Sequence, residues 1–516
     1  MRLGIDVGGT NTDAVLMAGR QVVAACKTPT TADVSEGIGA VLRQILASSS
    51  VDPEKIRAVM IGTTHFTNAV VEARQLAATA AVRLGAPATL AVPPMADWPD
   101  RLRRALGGHT YVCRGGNEFD GREIASLDPD ELRRAASQIG EAGVTSVAIT
   151  SVFSPVNAEM ETEAAAILSE ELPGVKISLS REIGRVGLLE RENATILNAS
   201  LGPLADRVLD GFEGVVAGAG VDAPLFITQN DGTLLNLDYA HRYPVATFAS
   251  GPTNSMRGAA FLSGVADAVV IDIGGTTTDV GILVGGFPRE ASVVVHVGGV
   301  ATNFRMPDVL SMGIGGGSLV RSHGEAVTVG PDSVGYRLDR RALVFGGPDL
   351  TATDIAVAGG LAAIGNRAAV EDLDREVMNG ALDRIRRDIA GTVDRMKTSA
   401  DPVVAIVVGG GSILLEDDLP GVSEMIRPDN FAVANAIGAA IAQVGGEVDR
   451  IYSLDDMGRE EALESARSEA MERAVVAGAD AATVAVVDIE EVPLPYLPSN
   501  AVRIRMKAVG DLALSV

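Results

Sequence analysis

The chain has 516 residues, of which 47% are hydrophobic, 21% charged and 3% aromatic, and its formal net charge is −24. The ordinary hydrophobic content excludes a disordered chain, and the length predicts about three or four structural units. Because the net charge is strongly negative and no stretch is dense in Lys or Arg, a nucleic-acid partner is excluded.

Cysteine usage and apolar runs indicate the compartment. The two cysteines, Cys26 and Cys113, are far apart and form no CxxC motif, which is typical of a reducing cytoplasm. The sequence opens without an apolar signal segment. The longest apolar run, residues 403–415, is too short and too interrupted by glycines to span a bilayer. The sequence therefore predicts a soluble cytoplasmic protein with no membrane partner.

The first part of the chain alternates strands and helices. We predict strands over 3–7, 13–17 and 21–26, a helix over 34–47, a strand over 58–61 and a helix that begins after Thr63 and Thr64. Residues 76–180 are predicted to form an inserted α/β unit, with helices over 129–142 and 158–171 and strands over 146–153 and 175–179.

The second half repeats the opening pattern and then changes character. Strands are predicted over 269–273 and 279–284, followed by a glycine run at 313–317, a charged helix over 368–396, a strand over 403–408 and a helical region ending near residue 445. In the acidic tail, Ser453 and Asp456 resemble a capping box that opens a charged helix over 453–473. The last strands are predicted over 483–489 and 501–507.

One nine-residue segment occurs twice. Residues 5–13 (IDVGGTNTD) and residues 271–279 (IDIGGTTTD) are identical at seven of nine positions. Each copy puts an Asp, Asp6 or Asp272, at the end of a buried strand, before a glycine pair and Thr hydroxyls. Glycine pairs let backbone N–H groups approach an anion, and a carboxylate can hold the water shell of Mg²⁺. The repeat therefore indicates two phosphate-binding turns, with a duplicated structural hairpin as the alternative.

A third glycine turn follows the strand predicted over 403–408. It consists of Gly409, Gly410, Gly411 and Ser412, and its flat backbone can pack against a nucleoside base. Many strand-to-helix turns share this pattern, so it gains meaning only from the two phosphate turns that precede it.

Two phosphate turns in opposite halves and an adenosine turn resemble the ATPase superfamily of actin, sugar kinases and heat-shock chaperones. Within it, the chain resembles the hydantoinase/oxoprolinase family, hydantoinase A type. The segments that carry this resemblance are residues 4–16, 62–72 (GTTHFTNAVVE), 119–122 (FDGR), 250–252 (SGP) and 313–318 (GIGGGS).

The resemblance implies an α/β fold with two RNase H-like, actin-like ATPase lobes around a nucleotide cleft. The domains expected are a first lobe from residues 1–75 and 181–262, an α/β insertion at 76–180, a second lobe at 263–446 and an acidic C-terminal extension at 447–516.

The same resemblance implies an ATP-dependent amidohydrolase, or its ATP-using subunit, with ATP and Mg²⁺ as cofactors. Its substrate would be a cyclic amide such as a hydantoin or a 5-oxoproline-like lactam, whose carbonyl oxygen is phosphorylated before ring opening. Mg²⁺ and backbone donors would stabilise charge on the transferring phosphoryl group. Two alternatives stay open: a small-molecule kinase or carboxylase-type ATPase subunit, and an ATP-driven switch that acts on a partner protein.

The resemblance also implies roles for the motif residues. Asp6 and Asp272 would hold Mg²⁺ through water, and Asp13 and Asp279 would either position a nucleophile or pin their hairpins. The residues expected to bind the nucleotide are Gly8, Gly9, Thr10, Asn11 and Thr12 in the first turn, Gly274, Gly275, Thr276 and Thr277 in the second, and Gly409, Gly410, Gly411 and Ser412 in the third.

Thr63, Thr64 and Asn68 follow a strand end at a helix start, a position suited to contact a polar substrate. Helix capping by a threonine is an equal alternative. His65 and Phe66 depart from the small or aliphatic residues that we expect there, and a structural role for His65 is the alternative to substrate binding.

Asp308 and the glycine run at 313–317, which includes Gly315 and Gly316, complete the candidate substrate residues. The run is expected to close over the substrate or phosphate, or to act as a flexible interdomain hinge. Asp308, His296 and His323 match no metal-ligand spacing, so no metal beyond Mg²⁺ is expected.

Partners follow from the same family. The chain is shorter than classic hydantoinase A subunits, whose ATP-using subunit commonly works with a second, hydrolytic subunit. A second subunit of the hydantoinase B type or another kind is therefore expected, and a homo-oligomer stays open.

Overall fold

The computed structural model describes residues 1–31, 34–291, 294–303, 306–323, 326–455, 457–495 and 500–514. Within these ranges the chain is an α/β protein in which two large mixed sheets and one smaller parallel sheet are flanked by helices.

The described strands and helices alternate along most of the chain. The strands are β1 (Arg2–Val7), β2 (Asn11–Ala18), β3 (Gln21–Pro29), β4 (Ala58–Thr63), β5 (Thr79–Ala86), β6 (His109–Arg114), β7 (Ser146–Ser151), β8 (Lys176–Leu179), β9 (Leu225–Thr228), β10 (Thr233–Asn236), β11 (Ala268–Ile273), β12 (Thr278–Val284), β13 (Phe287–Pro288), β14 (Val295–Val297), β15 (Val300–Thr302), β16 (Val309–Met312), β17 (Ser318–His323), β18 (Ala326–Ser333), β19 (Val403–Val408), β20 (Val422–Ile426), β21 (Gln443–Ser453), β22 (Ala485–Pro493) and β23 (Ala501–Gly510). The helices are α1 (Val34–Ser49), α2 (His65–Glu72), α3 (Asp100–Ala105), α4 (Pro129–Glu141), α5 (Glu159–Glu171), α6 (Leu188–Gly218), α7 (Leu237–Arg242), α8 (Ser250–Ser263), α9 (Leu338–Arg341), α10 (Ala352–Ala358), α11 (Arg375–Met396), α12 (Ala434–Ala440) and α13 (Arg459–Val476).

The largest sheet has nine strands in the order β22-β23-β21-β10-β9-β4-β1-β2-β3. Strand β4 runs parallel to both β1 and β9, whereas β1, β2 and β3 form an antiparallel meander. Every residue of β4 is buried, as expected for a strand that is covered on both faces. The turn after β1 and the end of β4 therefore lie at the same edge of the sheet.

The second large sheet repeats this arrangement. Its order is β13-β12-β11-β19-β20, with β16 also paired to β12. The hairpin β11–β12 lies beside the parallel strand β19, just as β1–β2 lies beside β4. Helices α10 and α11 cover this sheet with buried residues such as Ile355 and Ile385. The repeat found in the sequence is thus also a repeat in topology.

Residues of the predicted insertion form a third sheet of their own, in the order β6-β5-β7-β8, with all strands parallel. Arg83 of β5 is fully buried and donates two hydrogen bonds to the carboxylate of Glu192 on α6, at 2.7 and 2.6 Å. This bidentate pair joins the third sheet to a helix that packs against the first sheet.

Helices α8 and α12 lie between the two large sheets. Buried residues of α8 pack on β11 and β19, and those of α12 pack on β2. The two helices approach so closely that a Cβ at Gly258 would lie 2.0 Å from the carbonyl oxygen of Ala434. At Gly438 it would lie 1.8 Å from the carbonyl oxygen of Asn254. Glycine is therefore required at both positions.

The acidic C-terminal residues complete the first sheet. Strand β21 pairs in parallel with β10 and antiparallel with β23, and α13 packs on this part of the sheet through Ala462, Ala466 and Ala470. The predicted boundary at 446/447 lies inside β21, and the four predicted domain limits stay a prediction.

The predicted capping box at Ser453 is wrong. Ser453 ends β21, where it pairs with Ala501, and α13 begins only at Arg459 after Gly458. Pairing with β23 keeps the chain extended through Ser453, so that residue is not available to cap a helix. Asp456 lies outside the described residues.

Two helices differ from the sequence prediction in extent. The predicted helix over 368–396 begins instead at Arg375, because the carboxylate of Asp374 caps its first turn by accepting from the N–H of Glu376 at 2.8 Å. Helix α6, with 31 residues and an internal proline at Pro203, is not predicted from the sequence. In the ranges that the structure covers, no helix combines the length and the apolar character needed to cross a bilayer.

Candidate active site

The two copies of the repeated segment form matching β-hairpins. Asp6 is paired with Asp13 across the first hairpin, and Asp272 with Asp279 across the second. Each turn is closed by the same hydrogen bond, from the Gly8 N–H to the Asn11 carbonyl at 3.0 Å and, in the second copy, from the glycine at 274 to residue 277 at 2.8 Å. Each hairpin therefore presents a glycine-containing turn with two aspartates at its base.

The two turns face each other. The hydroxyl oxygens of Thr10 and Thr276 are 2.9 Å apart, although 266 residues separate them in the sequence. A Cβ at Gly275 would lie 2.6 Å from the Thr10 side chain, so glycine is needed for this approach. The repeated segments thus form one cleft rather than two separate sites.

The remaining turn residues differ in accessibility. Asn11 is half-buried, whereas Thr277 is exposed. Thr12 is fully buried, and its hydroxyl lies 3.2 Å from that of Thr30. Among these three side chains, those at 11 and 277 are more accessible to a bound group than that of Thr12.

The aspartates of the first hairpin are buried close together. Asp6 is 3% exposed, and burial together with the charge of Asp13 raises its pKa to about 7. Burial also raises the pKa of Asp13, to about 6, against the opposing effect of Lys27, whose ammonium lies 3.1 Å from Asp13 Oδ1. Both carboxyls therefore titrate near neutral pH.

Burial also raises the pKa values of the two aspartates of the second hairpin. Burial raises the pKa of Asp279 to about 7, against a hydrogen bond from the Ser311 hydroxyl. Burial also raises the pKa of Asp272, against the effects of Ser255 and Lys27. Four perturbed carboxyls in one cleft are typical of a functional site.

Two asparagines from distant segments approach Asp6. The amide of Asn435, on α12, donates to Asp6 Oδ2 at 3.4 Å. The amide nitrogen of Asn254, on α8, donates to Thr228 at 2.9 Å, and the Asn254 amide also lowers the pKa of Asp6. These residues are missed by sequence reasoning because no motif marks them.

The aspartates suit Mg²⁺ bound through water. Asp6 Oδ1 is buried and has no hydrogen-bond partner, so it retains an unused acceptor. The backbone leaves room only for glycine beside these oxygens, since a Cβ at Gly62 would lie 2.6 Å from Asp6 Oδ1 and one at Gly409 would lie 2.2 Å from Asp272 Oδ1. In the described part of the chain, no three His, Cys, Asp or Glu side chains converge as a direct ligand set. An ion that keeps several waters fits such a site better than one that needs a full protein cage.

The third glycine turn lies beside the second hairpin. Gly409 has a φ of +85° and its N–H donates to the Phe431 carbonyl at 3.0 Å. A Cβ at Gly411 would lie 2.6 Å from the carbonyl oxygen of Gly274, and Ser412 is buried. The turn formed by residues 409–412 therefore packs directly on the second phosphate turn, next to the cleft.

The glycine run at 313–317 packs against the second glycine turn, and its role as a loop that closes over the substrate or as an interdomain hinge stays a prediction. Its N–H groups at Gly316 and Gly317 donate to the carbonyls of Gly274 and Gly275 at 3.0 and 2.7 Å. Gly315 leaves no room for a side chain, because a Cβ there would lie 2.6 Å from the Thr276 nitrogen. The run therefore packs directly on the second turn.

The candidate substrate residues after β4 lie close to the first turn. The Thr63 hydroxyl accepts from the His65 N–H at 3.1 Å, and the Thr64 hydroxyl donates to the Val7 carbonyl at 3.4 Å. Asn68 is exposed and donates to the Thr64 hydroxyl at 3.4 Å, while His65 is half-buried. The N-cap of α2 is Thr64, whose side chain makes no capping hydrogen bond, and Thr63 instead accepts from the first N–H of the helix. Substrate contact and helix capping therefore both stay predictions for these threonines.

Asp308 lies elsewhere in the second lobe. Its carboxylate accepts two hydrogen bonds from Arg289, at 3.0 and 2.6 Å. Arg289 directly follows β13 and Asp308 directly precedes β16, so this ion pair joins the ends of two strands. His296 lies in the separate hairpin β14–β15, and the side chain of His323 lies outside the described residues.

A separate cavity of about 680 Å³ lies between the inserted sheet, the start of α6 and the C-terminal strands. Phe119, Phe153, Leu188, Ile451 and Leu494 are among its lining residues. None of the predicted site residues lines it, so it is distinct from the cleft between the turns.

The raised aspartate pKa values predict a pH-dependent stability. A carboxyl whose pKa is raised by folding stabilises the fold below its ordinary pKa, and this contribution is lost as pH rises through the folded value. For Asp6, this contribution to stability is lost as the pH rises from about 4 to about 7. We expect Asp6→Asn to gain on the order of a few kcal/mol of unfolding free energy relative to wild type between pH 5 and pH 8, in protein free of nucleotide and metal.

Thermal unfolding of both proteins across that range measures the difference in stability between them, which cancels the titration of groups that are not coupled to Asp6 and leaves that of Asp6 and its neighbour Asp13. A difference that does not change with pH would show that Asp6 is ionised throughout.

Two family models match the sequence over most of its length. The one described as the hydantoinase/oxoprolinase N-terminal region matches residues 2–172, and the one described as hydantoinase/oxoprolinase matches residues 191–362.

Individual relatives agree with this match. Caprolactamase subunit alpha of Pseudomonas jessenii is 28% identical over 482 residues, which cover 85% of this chain and 65% of that protein. Acetophenone carboxylase gamma subunit of Aromatoleum aromaticum is 23% identical, over 69% of this chain and 52% of that protein. The chain thus spans less than two thirds of the length of either relative.

The crystal structure of ATP-dependent caprolactamase from Pseudomonas jessenii superposes with a TM-score of 0.79 at 20% identity, over 99% of this chain and 87% of that one. This likeness concerns the fold, and the predicted α/β fold with two actin-like lobes around a cleft is confirmed. Since the two family models together match most of the sequence, the chain belongs to the hydantoinase/oxoprolinase family.

Proposed function

We propose that the chain binds ATP in the cleft between its two hairpins and uses it to activate the carbonyl of a cyclic amide for ring opening. The observation that carries this proposal is the direct approach of the two glycine turns, with Thr10 and Thr276 in contact at 2.9 Å. Backbone N–H groups of two facing turns provide donors for a polyphosphate from both sides.

Within the cleft, each turn would take part of the nucleotide. The turn residues at 8–12 and 274–277 would hold the phosphates, and those at 409–412 would contact the adenosine. Mg²⁺, held through water by Asp6 and Asp272, would offset charge on the transferring phosphoryl group. Asp13 and Asp279 would orient or deprotonate the attacking group, because carboxyls with a pKa near neutrality can exchange protons at physiological pH.

The substrate class is proposed from the family and its relatives. One relative is named a caprolactamase subunit, and a caprolactam is a cyclic amide. Thr64, His65 and Asn68, next to the first turn, would contact the amide. An alternative substrate, a small ketone that is activated for carboxylation, is supported by the acetophenone carboxylase relative.

A partner subunit is part of the proposal. Both relatives are named as subunits, alpha in one case and gamma in the other, and each is longer than the matched region. We propose that ring opening is completed by a second, hydrolytic subunit of the hydantoinase B type. A homo-oligomer and a cytoplasmic location stay predictions.

Phosphate release from Mg-ATP tests the proposal. The purified chain would be assayed with a panel of 5-oxoproline, hydantoins, larger lactams, small ketones and sugars, with the Asp6→Asn, Asp272→Asn double variant as the blank. Stimulation by one lactam that is absent in the double variant is the expected result.

Other outcomes would redirect the proposal. A phosphorylated sugar as product would indicate a kinase, and stimulation only by a ketone with bicarbonate would favour the carboxylase reading. ATP binding without stimulation by any compound would exclude a stand-alone enzyme, whereas stimulation only by an added protein would indicate a switch.

A further inference from the structure

Lys27 is a cation at the cleft that no sequence motif marks. It is one of five lysines in the chain and lies on β3, where it is paired with Asp13 of β2. Its ammonium is 3.1 Å from Asp13 Oδ1. This places a positive charge at the base of the first hairpin.

The same ammonium reaches toward the opposite lobe. A Cβ at Gly410, in the third glycine turn, would lie 3.6 Å from Lys27 Nζ. The charge of Lys27 also lowers the pKa of Asp272, which belongs to the second hairpin. Lys27 therefore lies where the first hairpin, the second hairpin and the third turn meet.

The exposure of Lys27 distinguishes it from a purely structural ion pair. Its side chain keeps 32% of its surface exposed, whereas that of Asp13 keeps 9%. By contrast, both side chains of the ion pair between Lys507 and Asp231 are largely buried, with 6% and 13% of their surface exposed. An ammonium that keeps access to solvent can exchange bound water for a ligand, whereas a fully enclosed ammonium cannot reach one.

The charge balance of the cleft calls for such a cation. Four aspartates line the two hairpins, so a triphosphate that enters between the turns meets acidic side chains and requires compensating positive charge. Neutral backbone donors and Mg²⁺ offset part of that charge, and a lysine supplies a compact point charge for phosphate.

We propose that Lys27 is a phosphate-binding residue of this cleft, whose ammonium moves from Asp13 to a phosphoryl oxygen when a nucleoside triphosphate binds. This inference rests on the proposed function, since it assumes that the nucleotide occupies the space between the hairpins. No bond is made or broken in this step, and one ion pair is exchanged for another.

The test compares binding of Mg-ATP, Mg-ADP and adenosine to the full chain by titration calorimetry. The variants are Lys27→Gln, which removes the charge, and Lys27→Arg, which keeps it. Lys176→Gln is the matched control, because it removes a surface lysine that forms an ion pair with Asp206 outside the cleft. We expect Lys27→Gln to weaken ATP binding about ten- to a hundredfold and to leave adenosine binding unchanged. Lys27→Arg should retain most of the affinity.

A structural role would give a different pattern. If Lys27 served only to neutralise Asp13, Lys27→Gln would weaken the binding of all three ligands equally. Adding the substitution Asp13→Asn would then restore ATP binding. Either of those results would overturn the proposal, whereas an ATP defect that Asp13→Asn does not repair would support it. If wild-type protein binds Mg-ATP and Lys27→Gln binds it equally well, the Lys27 assignment fails alone. If wild-type protein binds no nucleotide at all, the proposed function fails with it.

Discussion

Replacing Asp6 with Asn is expected to lower the rate of ATP turnover about a hundred- to a thousandfold, with the fold intact. Asn has the size of Asp and can keep the contact with Asn435, but it carries no charge to hold the water shell of a divalent cation. The loss should appear in kcat more than in KM, because the missing charge acts on the transferring phosphoryl group. Steady-state phosphate release over a range of Mg-ATP concentrations, up to saturation, measures both constants.

Asp267→Asn is the matched control for this substitution. Asp267 lies just before β11, at the end opposite to the cleft, and accepts from the Gly285 N–H at 3.0 Å. It should retain full turnover. Wild-type turnover by folded Asp6→Asn would contradict the assignment of Asp6 to the reaction.

The hairpins could be predicted from the sequence because their signal is local. Each is encoded by nine consecutive residues, in which glycines fix the turn and alternating apolar residues fix the strands. The same segment at two places predicted two turns, and only their contact through Thr10 and Thr276 required the three-dimensional structure. A cleft formed by sequence-distant segments follows from packing, which no local pattern encodes.

The residues that surround Asp6 show the limit of sequence reasoning. Asn435 is 429 residues away from Asp6 in the chain, and it reaches the site only because α12 packs between the sheets. Lys27 lies one residue beyond the strand predicted over 21–26, which extends to Pro29 in the structure. Its register opposite Asp13 also depends on the bulge that shifts the pairing between Leu16 and Met17, which the sequence does not mark. Polar residues brought in by tertiary packing have no periodicity that would mark them.

The C-terminal part shows a related limit of sequence reasoning. Its charged composition suggested an appended unit, yet Glu447 lies in the middle of β21, which pairs with β10 of the first sheet. A charged composition indicates that many side chains face solvent. It does not indicate that the backbone of β21 pairs with β10, a strand about 200 residues earlier in the chain. The spacing of Ser453 and Asp456 predicted a helix cap, although backbone pairing with Ala501 holds Ser453 in the strand.

Replacing Gly438 with Ala is expected to destabilise the protein by about 3 kcal/mol, although Ala favours helices over Gly. The added methyl group would lie 1.8 Å from the carbonyl oxygen of Asn254, so α8 and α12 must move apart. That movement displaces Asn435, one turn earlier on α12, from Asp6. Turnover should therefore fall together with stability, which equilibrium unfolding in urea and the phosphate-release assay measure separately.

Gly391→Ala supplies the matched control, since Gly391 is also within a helix but has nothing within 4 Å of its added Cβ. There the same substitution should stabilise the protein by about 0.5–1 kcal/mol and leave turnover unchanged, because only helix propensity is altered. Opposite signs for one chemical change would show that backbone contact between α8 and α12 sets the cost at position 438. Equal stabilisation by both substitutions would mean that these helices are free to separate, and the geometry of Asn254 and Asn435 around Asp6 would then not depend on their close approach.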